Sequence, residues 1–169
     1  GEFARYYRRQ CATKVIAITG TNGKTTVKNI ITKILMKKYR ILSSAKNFNS
    51  LIGLPLTIFN LSGTEDYLIA EMGTSNPGEI KRLCEIAKPF IGLITNIGPG
   101  HIQGLGSIEG VRKEKLSLFD SLPDTGFGVA GEGVGEINKK NVRHFSLDML
   151  GHINLSENGS WWTYNGNEY

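Results

Sequence analysis

Eight consecutive residues carry the most readable chemistry in this chain: Thr19-Gly20-Thr21-Asn22-Gly23-Lys24-Thr25-Thr26. Glycine turns of this kind let backbone N–H groups close on phosphate oxygens. A helix starting at the end of the turn adds partial positive charge. Lys24 is spaced to reach β- and γ-phosphates, and the Thr25 hydroxyl to hold magnesium. Gly-Lys-Thr is specific only between a strand and a helix. Both are present in pattern. Val15-Ile16-Ala17-Ile18 reads as a buried parallel strand, and Val27, Ile30, Ile31, Ile34 and Leu35 recur at helical spacing. The loop is the short form, because Ile18 stands where the common phosphate loop has its first glycine.

Ligands of open α/β sheets sit at the carboxyl ends of strands. Glu71 closes the apolar run Asp66–Glu71, and Asn96 closes Phe90–Asn96. A carboxylate at such an end can hold magnesium directly or through water. Gly98-Pro99-Gly100-His101 follows Asn96. In that loop His101 can be a metal ligand or a hydrogen-bond donor. Cys11 and Cys84 have no metal-ligand spacing and read as buried or half-buried thiols in a reducing, cytoplasmic setting.

The elements that must position these groups alternate. Strands are expected near 15–19, 40–44, 66–71, 90–96 and 127–130. Helices are expected near 4–10, 24–38, 50–60, 77–87 and 107–121, with Pro77 in the first turn of its helix. This is an α/β pattern: a mostly parallel phosphate-loop sheet flanked by helices. After Gly126 the composition shifts. Val142–Ser146, His152–Leu155 and Trp161–Tyr164 read as short strands, with a hairpin turn at Asn158-Gly159. A small antiparallel layer is expected there.

The 169 residues suffice for one domain with a substantial core, and the hydrophobic share of 40 % is that of a globular protein. No apolar run is long enough for a membrane span. The net charge of +5 is uneven: residues 1–46 hold eleven of the 20 Lys and Arg but one of the 15 acids. A basic lobe beside a phosphate loop suits anionic small molecules. Aromatic residues do not interleave with the basic ones as nucleic-acid binding would need, so no nucleic-acid partner is expected. Lys28, Lys33, Lys37 and Lys38 read as a solvated helix face. The chain opens at Gly1 with a helix already under way, so a piece of a longer protein is expected.

The loop Gly20–Thr26 resembles that of the Mur ligase family, the ATP-dependent enzymes that add amino acids to the peptidoglycan precursor. Folylpolyglutamate synthases, a related branch, usually carry Gly-Lys-Gly-Ser there. The resemblance continues through Asn47-Phe48-Asn49-Ser50 and Gly53-Leu54-Pro55-Leu56-Thr57, then Glu71-Met72-Gly73, Pro77-Gly78-Glu79-Ile80, Thr95–His101 and Gly106–Glu109. It ends with Lys113-Glu114-Lys115 and spans about residues 4–128. Within the family, the Gly-Leu-Pro-Leu-Thr and Glu-Met-Gly pieces favour the branch that adds D-Ala-D-Ala. Two positions depart from the pattern. Asn49-Ser50 stands where two asparagines are usual, and Ala130-Gly131-Glu132-Gly133 replaces an acidic turn near the adenine.

The resemblance implies residues 1–169 as one central ATP-binding domain, with an N-terminal UDP-substrate domain and a C-terminal domain in the parent protein. It implies a monomer that takes a UDP-MurNAc-peptide and D-Ala-D-Ala and joins them through an acyl phosphate. Gly20, Thr21, Asn22, Gly23, Lys24, Thr25, Thr26 and Asn96 would bind nucleotide. Thr25 and Glu71 would hold a first magnesium ion, and His101 would help hold a second. Lys24, His101 and Lys115 would be catalytic, with Lys115 carbamylated as a metal-facing anion. Asn47 and Asn49 would line the substrate side. Three other readings stand beside this one. They are a different Mur-type, folylpolyglutamate-type or cyanophycin-type amide ligase, a regulatory NTPase switch, and a nucleotide-binding module without turnover.

Overall fold

In a computed structural model the described residues are 1–145, apart from 46, 132, 138 and 140, together with the backbone of three short strands beyond them. Six strands form one sheet: β1 (Lys14–Thr19), β2 (Ile41–Ser43), β3 (Tyr67–Glu71), β4 (Ile91–Ile94), β5 (Phe127–Ala130) and β6 (Val142–His144). Their order is β2-β3-β1-β4-β5-β6, and every pairing is parallel. A parallel sheet is covered on both faces, so its central strand is continuously apolar rather than alternating. β1 obeys this. Val15 and Ala17 point into the larger core with Leu68 and Ala70, whereas Ile16 and Ile18 join Ile69 on the opposite face.

The helices are α1 (Glu2–Arg9), α2 (Lys24–Leu35), α3 (Gly53–Phe59), α4 (Glu79–Ala87), α5 (Ile102–Leu105) and α6 (Ile108–Asp120). Val27, Ile31 and Leu35 of α2 pack on the Ile16, Ile18 and Ile69 face. Ile30 and Ile34 do not, and are 52 % and 62 % exposed. The larger core is built from Ala4, Leu54, Leu83 and Leu118, which lie on α1, α3, α4 and α6.

Arg8 ties two of these helices together. Its buried guanidinium donates to the carbonyls of Ala87, Cys11 and Thr13. Ala87 is the last residue of α4, where the carbonyls lack helical partners. Arg8→Met would strand all three acceptors. The expected loss is about 3 kcal/mol of stability, read as a lower urea midpoint; an unchanged midpoint would contradict this account.

Several expectations need correction. The strand at Val142 belongs to the main sheet and runs parallel to β5. Its place is decided at a distance. Val142 seats over Gly128, where an added Cβ would come within 2.8 Å of the valine side chain. Asn141 Nδ2 donates to the Asp124 carbonyl at 2.6 Å, and Lys139 Nζ to the Phe119 carbonyl at 2.8 Å. The antiparallel unit starts later, as β7 (Ile153–Leu155), β8 (Trp162–Tyr164) and β9 (Asn167–Glu168). The expected turn at Asn158-Gly159 lies outside the described residues, as does His152. Pro77 precedes α4, whose N-cap is Gly78 at φ 85°. Helix α2 ends at Leu35, three residues short of the expected end. Lys33, Lys37 and Lys38 are exposed as expected, but Lys28 is 3 % exposed and belongs to the interior.

Candidate active site

The loop after β1 is shaped by close approach. Gly20 has φ 145°, and a Cβ there would lie 1.9 Å from Thr95 Oγ1. Gly23, at φ 79°, caps α2. The segment after β4 braces the loop from the side. Thr21 N donates to the Asn96 carbonyl at 3.0 Å, and Asn22 N to Asn96 Oδ1 at 3.0 Å. In return Asn96 Nδ2 and Thr95 Oγ1 donate to the Asn22 carbonyl at 3.2 and 2.6 Å. The Thr21 hydroxyl accepts from Gly98 N at 3.0 Å. Asn96 therefore shapes the loop, and it also lines a cleft beside α2.

Lys24 Nζ sits inside the loop, donating to the carbonyls of Gly20 and Thr21 at 2.9 and 3.0 Å. Burial holds its pKa below the ordinary lysine range, and the Glu71 charge opposes the shift. The first N–H groups of α2 lack internal acceptors, as at any helix N-terminus, and Gly23 offers them no side-chain cap.

Glu71, at the end of β3, is 3 % exposed. Each of its oxygens has a donor: Thr25 Oγ1 lies 2.7 Å from Oε2, and Asn49 Nδ2 lies 3.1 Å from Oε1. Lys28 Nζ is 3.9 Å from Oε2 and donates to the Ser44 carbonyl at 2.8 Å. Ser44 closes the circuit by accepting from Glu71 N at 3.1 Å. The donor set fits magnesium. Thr25 gives its proton to Glu71, which leaves the hydroxyl lone pairs for a hard cation. Among the described residues no group of three or more His, Cys, Asp or Glu side chains gathers. A cation here would draw its remaining ligands from phosphate and water, as magnesium commonly does.

Lys115 reaches this site from α6. It is 1 % exposed, and its Nζ donates to the Gly20 carbonyl at 3.0 Å, the same oxygen that Lys24 uses. Its pKa is pushed down to about 8, first by burial and then by the nearby Lys24 charge, against a smaller opposing effect of Glu114. Glu114 anchors the helix beside it, accepting from Gly78 N at 2.7 Å and Ile80 N at 2.8 Å at the start of α4.

A cleft of about 330 Å³ opens beside Lys24, lined also by Asn49, Ser50, Gly73, Thr74, Glu79 and His101. His101 is held at φ 59°, an uncommon conformation for a residue with a side chain. Asn47 is exposed and does not line the cleft, so the structure does not bring it to the site. Asn49 does double duty, facing the cleft and bonding Glu71. Thr26 is exposed on the first turn of α2. Sequence reasoning missed Lys28, Ser44 and Thr95. One signal for Lys28 existed: it lies four residues after Lys24 and three after Thr25, on their face of the helix. A second, apolar cleft of about 1000 Å³ flanks the loop on the other side, between Val27 and Ile31 of α2 and Leu93 and Val129 of the sheet.

A phosphate loop, a strand-end carboxylate bonded to its threonine and a parallel sheet define a nucleotide-binding α/β domain. The model of the Mur ligase middle domain matches residues 18–158, and the chain belongs to that family. A UDP-N-acetylmuramoyl-tripeptide–D-alanyl-D-alanine ligase of Bacillus subtilis (strain 168) is 42 % identical over 125 residues, covering 74 % of this chain and 27 % of the relative. The enzyme of that name from Escherichia coli (strain K12) is 36 % identical over 129 residues, covering 76 % and 28 %. The chain thus spans about a quarter of the length of these relatives. Among solved structures, MurF ligase from Thermotoga maritima in complex with ADP superposes with a TM-score of 0.81 at 29 % identity, over 99 % of this chain and 39 % of that one.

Proposed function

We propose that this chain is the ATP-binding domain of an ADP-forming ligase that joins D-Ala-D-Ala to a UDP-MurNAc-tripeptide. The observation that carries the reading is Lys24 within the loop after β1, beside the Thr25–Glu71 hydrogen bond, at the carboxyl ends of the adjacent strands β1 and β3. The parent protein would supply the UDP-substrate and amine-side domains and work as a cytoplasmic monomer. Among the described residues no helix is long and apolar enough to cross a membrane.

In this reading the phosphates lie along Gly20–Thr26, and the base sits over the apolar cleft that Gly131 and Gly133 help line. Lys24 leaves the two loop carbonyls and pairs with the transferring phosphoryl group. The terminal carboxylate of the peptide, held in the cleft near His101 and Asn49, attacks the γ-phosphorus, and ADP leaves. The incoming amine then attacks the acyl carbon, and phosphate departs. Such chemistry asks the protein for positioning and charge neutralisation rather than covalent catalysis. Thr25 and Glu71 would hold one magnesium ion, and His101 with carbamylated Lys115 a second. Bound there, the metals neutralise charge on the phosphates.

The test is an assay of the full-length protein with UDP-MurNAc-tripeptide, ATP and a panel of amines. D-Ala-D-Ala should be the preferred acceptor, with ADP released. Preference for a single diamino acid on the dipeptide precursor would assign the chain to a different family member. The 169-residue chain alone should bind Mg-ADP and ligate nothing.

A further inference from the structure

The mechanism leaves one buried charged group without a task. Lys28 is 3 % exposed, under the phosphate loop. A lysine inside a domain is costly, and a buried ion pair is commonly no more stable than an apolar replacement. Its partners show what it does there. The ammonium donates to the Ser44 carbonyl at 2.8 Å and stands 3.9 Å from Glu71 Oε2. The other groups on the carboxylate, Thr25 and Asn49, are neutral dipoles. Lys28 is thus the only cation within ion-pair distance of Glu71 among the described residues.

We propose that Lys28 is a positioning residue that acts through Glu71 as a built-in counter-cation, keeping the site's affinity for a free divalent cation low. The inference rests on the metal site proposed above. Lys28 approaches Oε2 from the buried side, while Thr25, which shares that oxygen, is exposed. A divalent cation arriving at Thr25 and Glu71 therefore meets a carboxylate whose charge is already offset, and it is repelled by the ammonium behind. With one carboxylate and one hydroxyl from the protein, the cation gains enough only when nucleotide phosphates add their oxygens. Metal and nucleotide then load together and leave together, rather than the metal staying behind after product release. The Ser44 bond keeps the ammonium from swinging away. It also ties the end of β2 to the helix that carries the loop.

The experiment separates charge from packing. Lys28→Gln removes the charge but keeps a donor for the Ser44 carbonyl; Lys28→Arg keeps the charge. Mn2+ is the probe, its free concentration read by electron paramagnetic resonance on the full-length protein with and without ADP. The parent should bind Mn2+ weakly alone and tightly with ADP. Lys28→Gln should bind Mn2+ without ADP about tenfold more tightly than the parent, on the scale of outer-shell changes at metal sites. Lys28→Arg should match the parent. Equal or weaker nucleotide-free binding by Lys28→Gln overturns the proposal. If that variant is too unstable for direct titration, its thermal midpoint must rise more with Mn2+ than the parent's does; an equal or smaller rise overturns it too. Failure of the metal site itself would look different: free Mn2+ in mixtures of the parent with ADP would match that of ADP without protein.

Discussion

Lys24→Ala should lower affinity for Mg-ADP by about 100-fold, equivalent to about 2.8 kcal/mol, with the far-ultraviolet circular dichroism unchanged. The size follows from what is lost. A charge-assisted bond to phosphate is roughly twice as strong as a neutral one, and truncation leaves a phosphate charge without its closest partner. The nucleotide-free loop also loses the bonds from Nζ to the carbonyls of Gly20 and Thr21. Those bonds hold the ammonium where phosphate would enter, so they must break on binding, and the measured loss is net of them. The loop itself should survive, because Asn96, Thr95 and Gly98 hold it independently of Lys24. Isothermal titration calorimetry reads the result directly. Equal affinity in variant and parent would remove the loop from nucleotide binding.

The second large effect is expected at Lys115. Carbamate formation joins a neutral amine to carbon dioxide and releases a proton, so it depends on the unprotonated fraction. With a pKa of about 8, that fraction rises roughly tenfold between pH 7 and pH 9. Burial and the adjacent Lys24 both disfavour the ammonium, so both favour modification. The product is an anion with two oxygens, suited to a hard cation where an ammonium would be repelled. In the full-length protein, Lys115→Ala should cut turnover by about 100-fold, in line with the loss of one preorganised electrostatic partner. Short-chain carboxylates should restore part of the lost turnover. With 13C-labelled bicarbonate, a carbamate carbon resonance should grow with pH and be missing in Lys115→Ala. Lys113, on the same helix but exposed, is the control. Undiminished turnover in Lys115→Ala, or a Mg-nucleotide structure with Lys115 far from the metals, would take it out of the site.

The two residues differ in how they are read. Lys24 is legible because everything that defines it is contiguous: an apolar strand, a glycine turn and the first turn of a helix. Glu71 and Asn96 were reachable by one further step, since parallel strands bring their carboxyl ends to one edge. The alternation of strands and helices likewise determined the sheet as far as β5. The rest depended on contacts between distant segments. Lys115 meets Gly20 across 95 positions, and only the packing of α6 against α4, with Glu114 on the helix start, aims it there. β6 was misread because a three-residue strand carries too little pattern to choose between a parallel and an antiparallel neighbour; Val142 over Gly128 makes that choice. Lys28 was misread as a surface residue because helical spacing states which side chains share a face, not what lies opposite. The sequence by itself determined the phosphate loop and the class of sheet that carries it. Tertiary structure decided which charges surround Glu71, because burial and counter-charge are properties of segments that meet only once the chain has folded.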